Sequence, residues 1–126
     1  MAALNGKWSC WSFCPQPGTA TTPPQIAALW APPGVLEVTT DGSGQVTGTL
    51  TFAPGVALNV TGAVTAALEN LPEGIELTGE GLSAVYKIRG FFITGGKHVV
   101  GTVVAIQNDL AKQPVGTAGP FILFQP

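Results

Sequence analysis

"VTGTLTF", residues 46–52, alternates along its length: Val46, Gly48, Leu50 and Phe52 fall on one side, Thr47, Thr49 and Thr51 on the other. A period of two with β-branched residues on the polar side is the signature of a strand with one face buried. The glycine is out of place, because it sits on the buried face, where it contributes no packing and weakens the strand. The same device recurs in "VTGAV" (60–64), "LTGEG" (77–81), "IRGFF" (88–92) and "VVGTV" (99–103), which puts Gly62, Gly79, Gly90 and Gly101 among inward-facing residues of successive strands. Interior glycines mark places where a sheet bends sharply or where another group comes close. Repeated strand after strand, they predict a sheet coiled into a closed barrel, which also leaves no exposed sheet edge.

Turn signals bound the remaining strands: "PQPG" (15–18), "PPG" (32–34), "DGSG" (41–44), "APG" (53–55), "LPEG" (71–74) and "TGGK" (94–97). Eight strands are predicted, at about 6–13, 34–41, 45–53, 56–67, 74–83, 84–94, 97–108 and 118–125. Short connections between neighbours make them an antiparallel meander, so the expected fold is all-β, an eight-stranded up-and-down barrel in one domain spanning 1–126. In "PPQIAALWA" (23–31), Ile26, Leu29 and Trp30 have helical spacing after a proline, which predicts one short helix over 24–31 at an end of the barrel.

The chain has 126 residues, of which 45 % are hydrophobic and only 10 % charged, against about a quarter in an ordinary soluble domain. Its surface is therefore covered by Thr, Ser, Gly and Ala or by another subunit. A formal charge of -2 with no basic run excludes nucleic acid and anionic membranes as expected partners. The start "MAALNGKWSC" has no export-signal pattern and no long apolar stretch follows, so the expectation is a soluble protein, cytoplasmic if the sequence is complete and secreted if a signal has been removed. Cys10 and Cys14 would lie about 13 Å apart along an extended strand. A disulfide would require a turn at Ser12 and Phe13, and reduced thiols are expected.

Two segments, "LNGKWS" (4–9) and "VTTDGSGQVTGTLTF" (38–52), resemble the opening strand and first hairpin of avidin and streptavidin-like proteins, and more broadly of calycin barrels, the group that includes lipocalins. The resemblance implies an eight-stranded barrel that binds a small molecule and forms tetramers. Gly6 and Trp8 match the opening motif. The later tryptophans that wall the biotin pocket have no counterpart, since the three Trp are at 8, 11 and 30, and Tyr86 does not match the family's ligand-binding tyrosine. The likeness therefore implies architecture and not biotin binding. A likeness in topology to allene oxide cyclase and dirigent-type barrels keeps an enzyme reading open.

Chemistry-bearing residues are few. His98 is the single histidine and has no partners at metal-ligand spacing, so no metal and no cofactor are expected. No nucleophile-elbow sequence supports a hydrolytic triad. By alternation Tyr86, Ile88 and Phe92 point inward, and a tyrosine hydroxyl among apolar neighbours suits the orientation of a ligand. The expected function is binding of a small apolar or amphipathic molecule in the barrel, lined by Trp8, Trp30, Tyr86 and Phe92, with residues 19–33 as a lid. Two alternatives stand beside it: a cyclase- or isomerase-type enzyme assisted by Tyr86 or Asp109, and a structural protein with a packed barrel. Strands 97–108 and 118–125 are apolar on both faces, which predicts a homo-oligomer interface there.

Overall fold

In the computed structural model, residues 3–16, 19–23, 25–28, 33–93, 95–108 and 115–126 are described, with the backbone alone for 14–16, 25–28 and 108. The described residues form nine strands: β1 (Gly6–Gln16), β2 (Gln25–Ala28), β3 (Gly34–Thr40), β4 (Gln45–Ala53), β5 (Val56–Thr65), β6 (Gly74–Gly81), β7 (Ala84–Phe92), β8 (His98–Asn108) and β9 (Ala118–Phe124). β3 to β9 pair antiparallel in chain order, and β1 joins both ends of the row, Gly6–Cys10 against β3 and Ser9–Ser12 against β9. The result is a closed eight-stranded barrel. A row of paired residues that starts at Gly6 runs through Val38, Gly48, Val60, Gly79 and Tyr86 to Ala105. On the closing side β8 reaches β1 through Val99, Leu123 and Cys10. The rows climb the barrel and do not close on themselves, which is the stagger that closure requires.

One expectation is corrected. Residues 25–28 are not helical but form β2, antiparallel to Phe13–Gln16, and no helix occurs among the described residues. The physical reason lies in β1, which runs three residues further than its sequence pattern suggests. Past Ser12 its backbone has left β9 and β3, and the unpaired amide and carbonyl groups of Phe13–Gln16 are satisfied by an extended partner. Tertiary pairing thus overrides the helical spacing of a short segment. The rest of the expected helix, with Trp30, lies outside the described residues.

The glycines answer to the same closure. A Cβ built at Gly48 would fall on the Glu37 carbonyl oxygen of β3, and one at Gly101 on that of Arg89 in β7. The close-approaching group is the neighbouring backbone itself, drawn in where the sheet coils most tightly. Gly48, Gly62, Gly90 and Gly101 therefore set the curvature of the wall.

Calling the end made by the 53–56 and 81–84 turns the upper one, the lower end is closed by large side chains. Val38, Val46, Ile75, Phe92 and Val99 face inward there, and Leu4, fully buried, lies beneath them. Leu4 is fixed by a reciprocal pair of hydrogen bonds, its N–H donating to Thr40 Oγ1 and the Thr40 hydroxyl donating to its carbonyl, both at 2.9 Å. The Asp41–Gly44 turn beside it is built on one carboxylate. Asp41 Oδ1 accepts from Ser43 N (2.9 Å), Ser43 Oγ (2.8 Å) and Gln45 N (3.0 Å), and these bonds hold its pKa below the usual value.

Candidate functional site

Each sequence-predicted site residue can be placed by its strand. Tyr86 is near the start of β7, at the upper end, and Phe92 is the last residue of the same strand, at the lower end. Trp8, 2 % exposed, is near the start of β1, and its indole N–H donates to the Asn5 carbonyl at 3.0 Å, toward the lower closure. The structure therefore separates Trp8 and Phe92 from Tyr86. Trp30, Asp109 and parts of the 19–33 segment lie outside the described residues.

The upper half of the barrel is built differently from the lower. Inward positions there include Gly81, Ala84, Ala105 and Gly119, all small, with Leu58, Phe52 and Tyr86 as large side chains. Two of those three owe their placement to irregular pairing. The β4–β5 register shifts between Thr51 and Ala53, leaving Phe52 as the extra residue, and its ring folds over Gly34, where an added Cβ would meet it at 3.0 Å. The β7–β8 register shifts between Val85 and Tyr86, opposite Ile106. Bulges at a barrel rim re-aim neighbouring side chains, and both bulges here flank an inward aromatic. The 81–84 turn at the same rim carries two non-glycine residues in the left-handed region, Leu82 (φ 53°) and Ser83 (φ 60°), and half of Leu82 is exposed.

Two features of this upper half are not singled out from sequence. Ser12 continues the inward series of Trp8 and Cys10 on β1 and is 92 % buried by its 8 % exposure, yet its hydroxyl makes no hydrogen bond among the described residues. A buried hydroxyl without a partner is rare and needs a reason. The alternation on β1 carried that signal, since it placed a polar residue inward. Gly79, paired to Tyr86, is the second feature. A Cβ there would meet only Leu58, at an ordinary contact distance of 3.5 Å, so unlike the wall-bending glycines it could carry a methyl group without a clash.

Electrostatically this half of the barrel is neutral. Burial raises the Tyr86 phenol above its ordinary value, so it is a protonated hydroxyl at neutral pH. Burial also pushes the thiol of Cys10, a free cysteine, up to about 12, which leaves it a small apolar group. β1 is continuous through Ser12 and Phe13, so the turn that a Cys10–Cys14 disulfide would require is absent. Among the described residues no three His, Cys, Asp or Glu side chains converge as a metal site would require. An open groove of about 180 Å³ on the outer surface, between the 66–73 loop and β7, is lined by Leu68, Leu71, Phe91 and the Glu76–Arg89 ion pair (2.9 Å). Both charges of that pair are largely in solvent, so the groove has no buried polar group to orient a ligand.

No helix among the described residues is long and apolar enough to cross a membrane. Compared with known proteins, the chain matches no family model, and no curated protein is significantly similar to it.

Proposed function

We propose that the protein binds a small, largely apolar molecule carrying one hydrogen-bonding group in the upper half of its barrel. The observation that carries this reading is the Ser12 hydroxyl, inward-facing, buried and without a partner among the described residues. A ligand with a single acceptor or donor group would complete it, while Leu58, Phe52 and the small inward residues Gly79, Gly81, Ala84 and Ala105 suit an apolar body. Tyr86, an inward residue near the upper end of β7 and protonated at neutral pH, belongs to the same part of the wall. This site uses one of the residues expected from sequence, Tyr86, and leaves Trp8 and Phe92 as structural closure. The likeness to calycin-type barrels implies ligand uptake from one end in the same way.

The test is binding of two matched probes, decanol and decane, read by displacement of anilinonaphthalene sulfonate fluorescence and by native mass spectrometry. Decanol binds and decane binds more weakly in the wild type, and Ser12→Ala abolishes the difference. Gly79→Val, which adds bulk to the inner wall, blocks both probes, while Thr49→Ala on the outer wall leaves both unchanged. Equal binding of both probes to the wild type and the Ser12→Ala variant, or no binding of either, overturns the proposal.

A further inference from the structure

The outer wall of the barrel divides in two. From β3 to β6 its outward residues are mostly polar, with Val35, Ala57 and Ala63 the exceptions: Thr39, Thr47 and Thr61 pair in one row and Glu37, Thr49 and Asn59 in the next. At β7 the polar side chains lean back toward β6, Lys87 Nζ donating to Thr78 Oγ1 at 2.8 Å and Arg89 pairing with Glu76. Beyond that boundary the register sets Phe91 opposite Val100, Val100 opposite Ile122 and Ile122 opposite Trp11, one unbroken apolar row across β7, β8, β9 and β1. Phe91, Val100 and Ile122 are 36–37 % exposed. The outward residues of β8 from Val100 to Ile106, and of β9 from Ala118 to Ile122, carry no charge.

We infer that this face is the interface of a two-fold dimer between copies of this chain. This rests on the outer wall and is independent of the ligand-binding reading. Four strands about 4.8 Å apart, each contributing about seven residues at 3.3 Å, make a face of roughly 450 Å² in projection. Side-chain relief brings that to roughly 600 Å² of accessible surface, the lower edge of what a stable protein pair buries on each side. Within it the outward residues of β8 and β9 carry no charge, and Lys87 and Arg89 of β7 are turned toward β6.

The row is also self-complementary. A two-fold axis along the strands, between β8 and β9, reverses it, so that Phe91 meets the partner's Trp11 and Val100 meets the partner's Ile122, aromatic on aromatic and aliphatic on aliphatic. A heterologous partner would have to supply the same apolar order, which this chain already has. The polar Thr-rich half of the wall, with its glutamates, then faces solvent in the assembly.

Light scattering coupled to gel filtration, on the full chain at tens of micromolar, tests this. The wild type elutes at twice the monomer mass. Val100→Glu and Ile122→Arg each elute as monomers, because either places an ionised group against an apolar residue, with association weakened roughly 100-fold. Mixing those two variants restores a dimer, since the reversed row brings the carboxylate of one chain to the guanidinium of the other. Thr49→Glu, on the polar wall, leaves the dimer intact. Far-UV circular dichroism verifies the fold, and Trp11→Glu replaces Val100→Glu should the latter not fold. A monomeric wild type, dissociation by Thr49→Glu, or dimers that persist in both row variants overturns the inference. Monomeric variants that stay monomeric when mixed overturn the reversed pairing.

Discussion

Replacing Ser12 by alanine should raise stability and lower ligand affinity at once, a combination that a merely structural serine does not produce. A buried hydroxyl left without a partner costs about 1–3 kcal/mol relative to one that is satisfied. Ser12 is 8 % exposed, so water at the surface relieves little of that cost. Alanine keeps the backbone pairing to Phe121 and loses only one oxygen's worth of packing, for a net gain of about 1 kcal/mol in the ligand-free protein. At about 2.1 cal/mol/K per residue, 126 residues unfold with an entropy of about 0.26 kcal/mol/K. A gain of 1 kcal/mol then raises Tm by about 4 °C. In the presence of a saturating ligand that bonds to Ser12, the gap closes, since the variant loses a hydrogen bond and about five- to tenfold in affinity, which offsets the gain. The assay is a pair of thermal melts, wild type and variant, each with and without saturating decanol. A variant that melts lower than wild type without ligand shows that the hydroxyl is already satisfied in the folded protein, and the reasoning fails.

Gly48→Ala should destabilise by about 3 kcal/mol, because its Cβ must displace the β3 backbone at Glu37, whereas Gly79→Ala should be neutral or stabilising by about 0.5 kcal/mol. Urea melts of the two variants check this, and equal losses would mean that the inward glycines share one role. Exchanging the left-handed pair Leu82-Ser83 for the favoured turn residues, as Leu82→Asn with Ser83→Gly, should stabilise by about 1–2 kcal/mol in a chemical-denaturation series. The Cys10 thiol keeps its proton in the folded state up to about pH 12, while in the unfolded chain it ionises near the ordinary value of 9.0. Stability is therefore fully present below about pH 9 and falls as pH rises from there toward 12, by about 1.4 kcal/mol per unit. Cys10→Ala removes that part of the slope, which melts at pH 8 and pH 10 compare directly.

Strand positions from β3 to β7 were readable to within about two residues, because alternation and turn chemistry there point to the same answer at every position. So was the inward placement of Gly48, Gly62, Gly79, Gly90 and Gly101. Which of them bend the wall and which could carry a side chain is not readable, since that depends on how close the next strand's carbonyls come, and spacing along one strand does not contain it. The segment 25–28 misled for a related reason: its local pattern was weighed without knowing that β1 extends to Gln16 and presents free backbone groups. The inward placement of Tyr86 and of Trp8 is legible from alternation, but their separation along the barrel is not, since it depends on the stagger between strands and on the hydrogen bond that holds the Trp8 indole to Asn5. The parity of Ser12 is plain in the sequence, but an inward serine becomes informative only once its surroundings are known, and here they hold no partner among the described residues.

The Leu4–Thr40 closure shuts the lower end of the barrel. On the proposed reading, a guest taken up in the upper half leaves by the rim through which it came, without turning around, so the end that enters first stays deepest until departure. Ser12 lies part-way down the wall, below the turns of that rim, and a polar group reaching it must lead or follow closely the apolar portion beyond it. Residence time is then set by the rim, where the strained 81–84 turn stands, and changes at that turn should alter the rate of exchange while leaving the depth and orientation of the guest as they were.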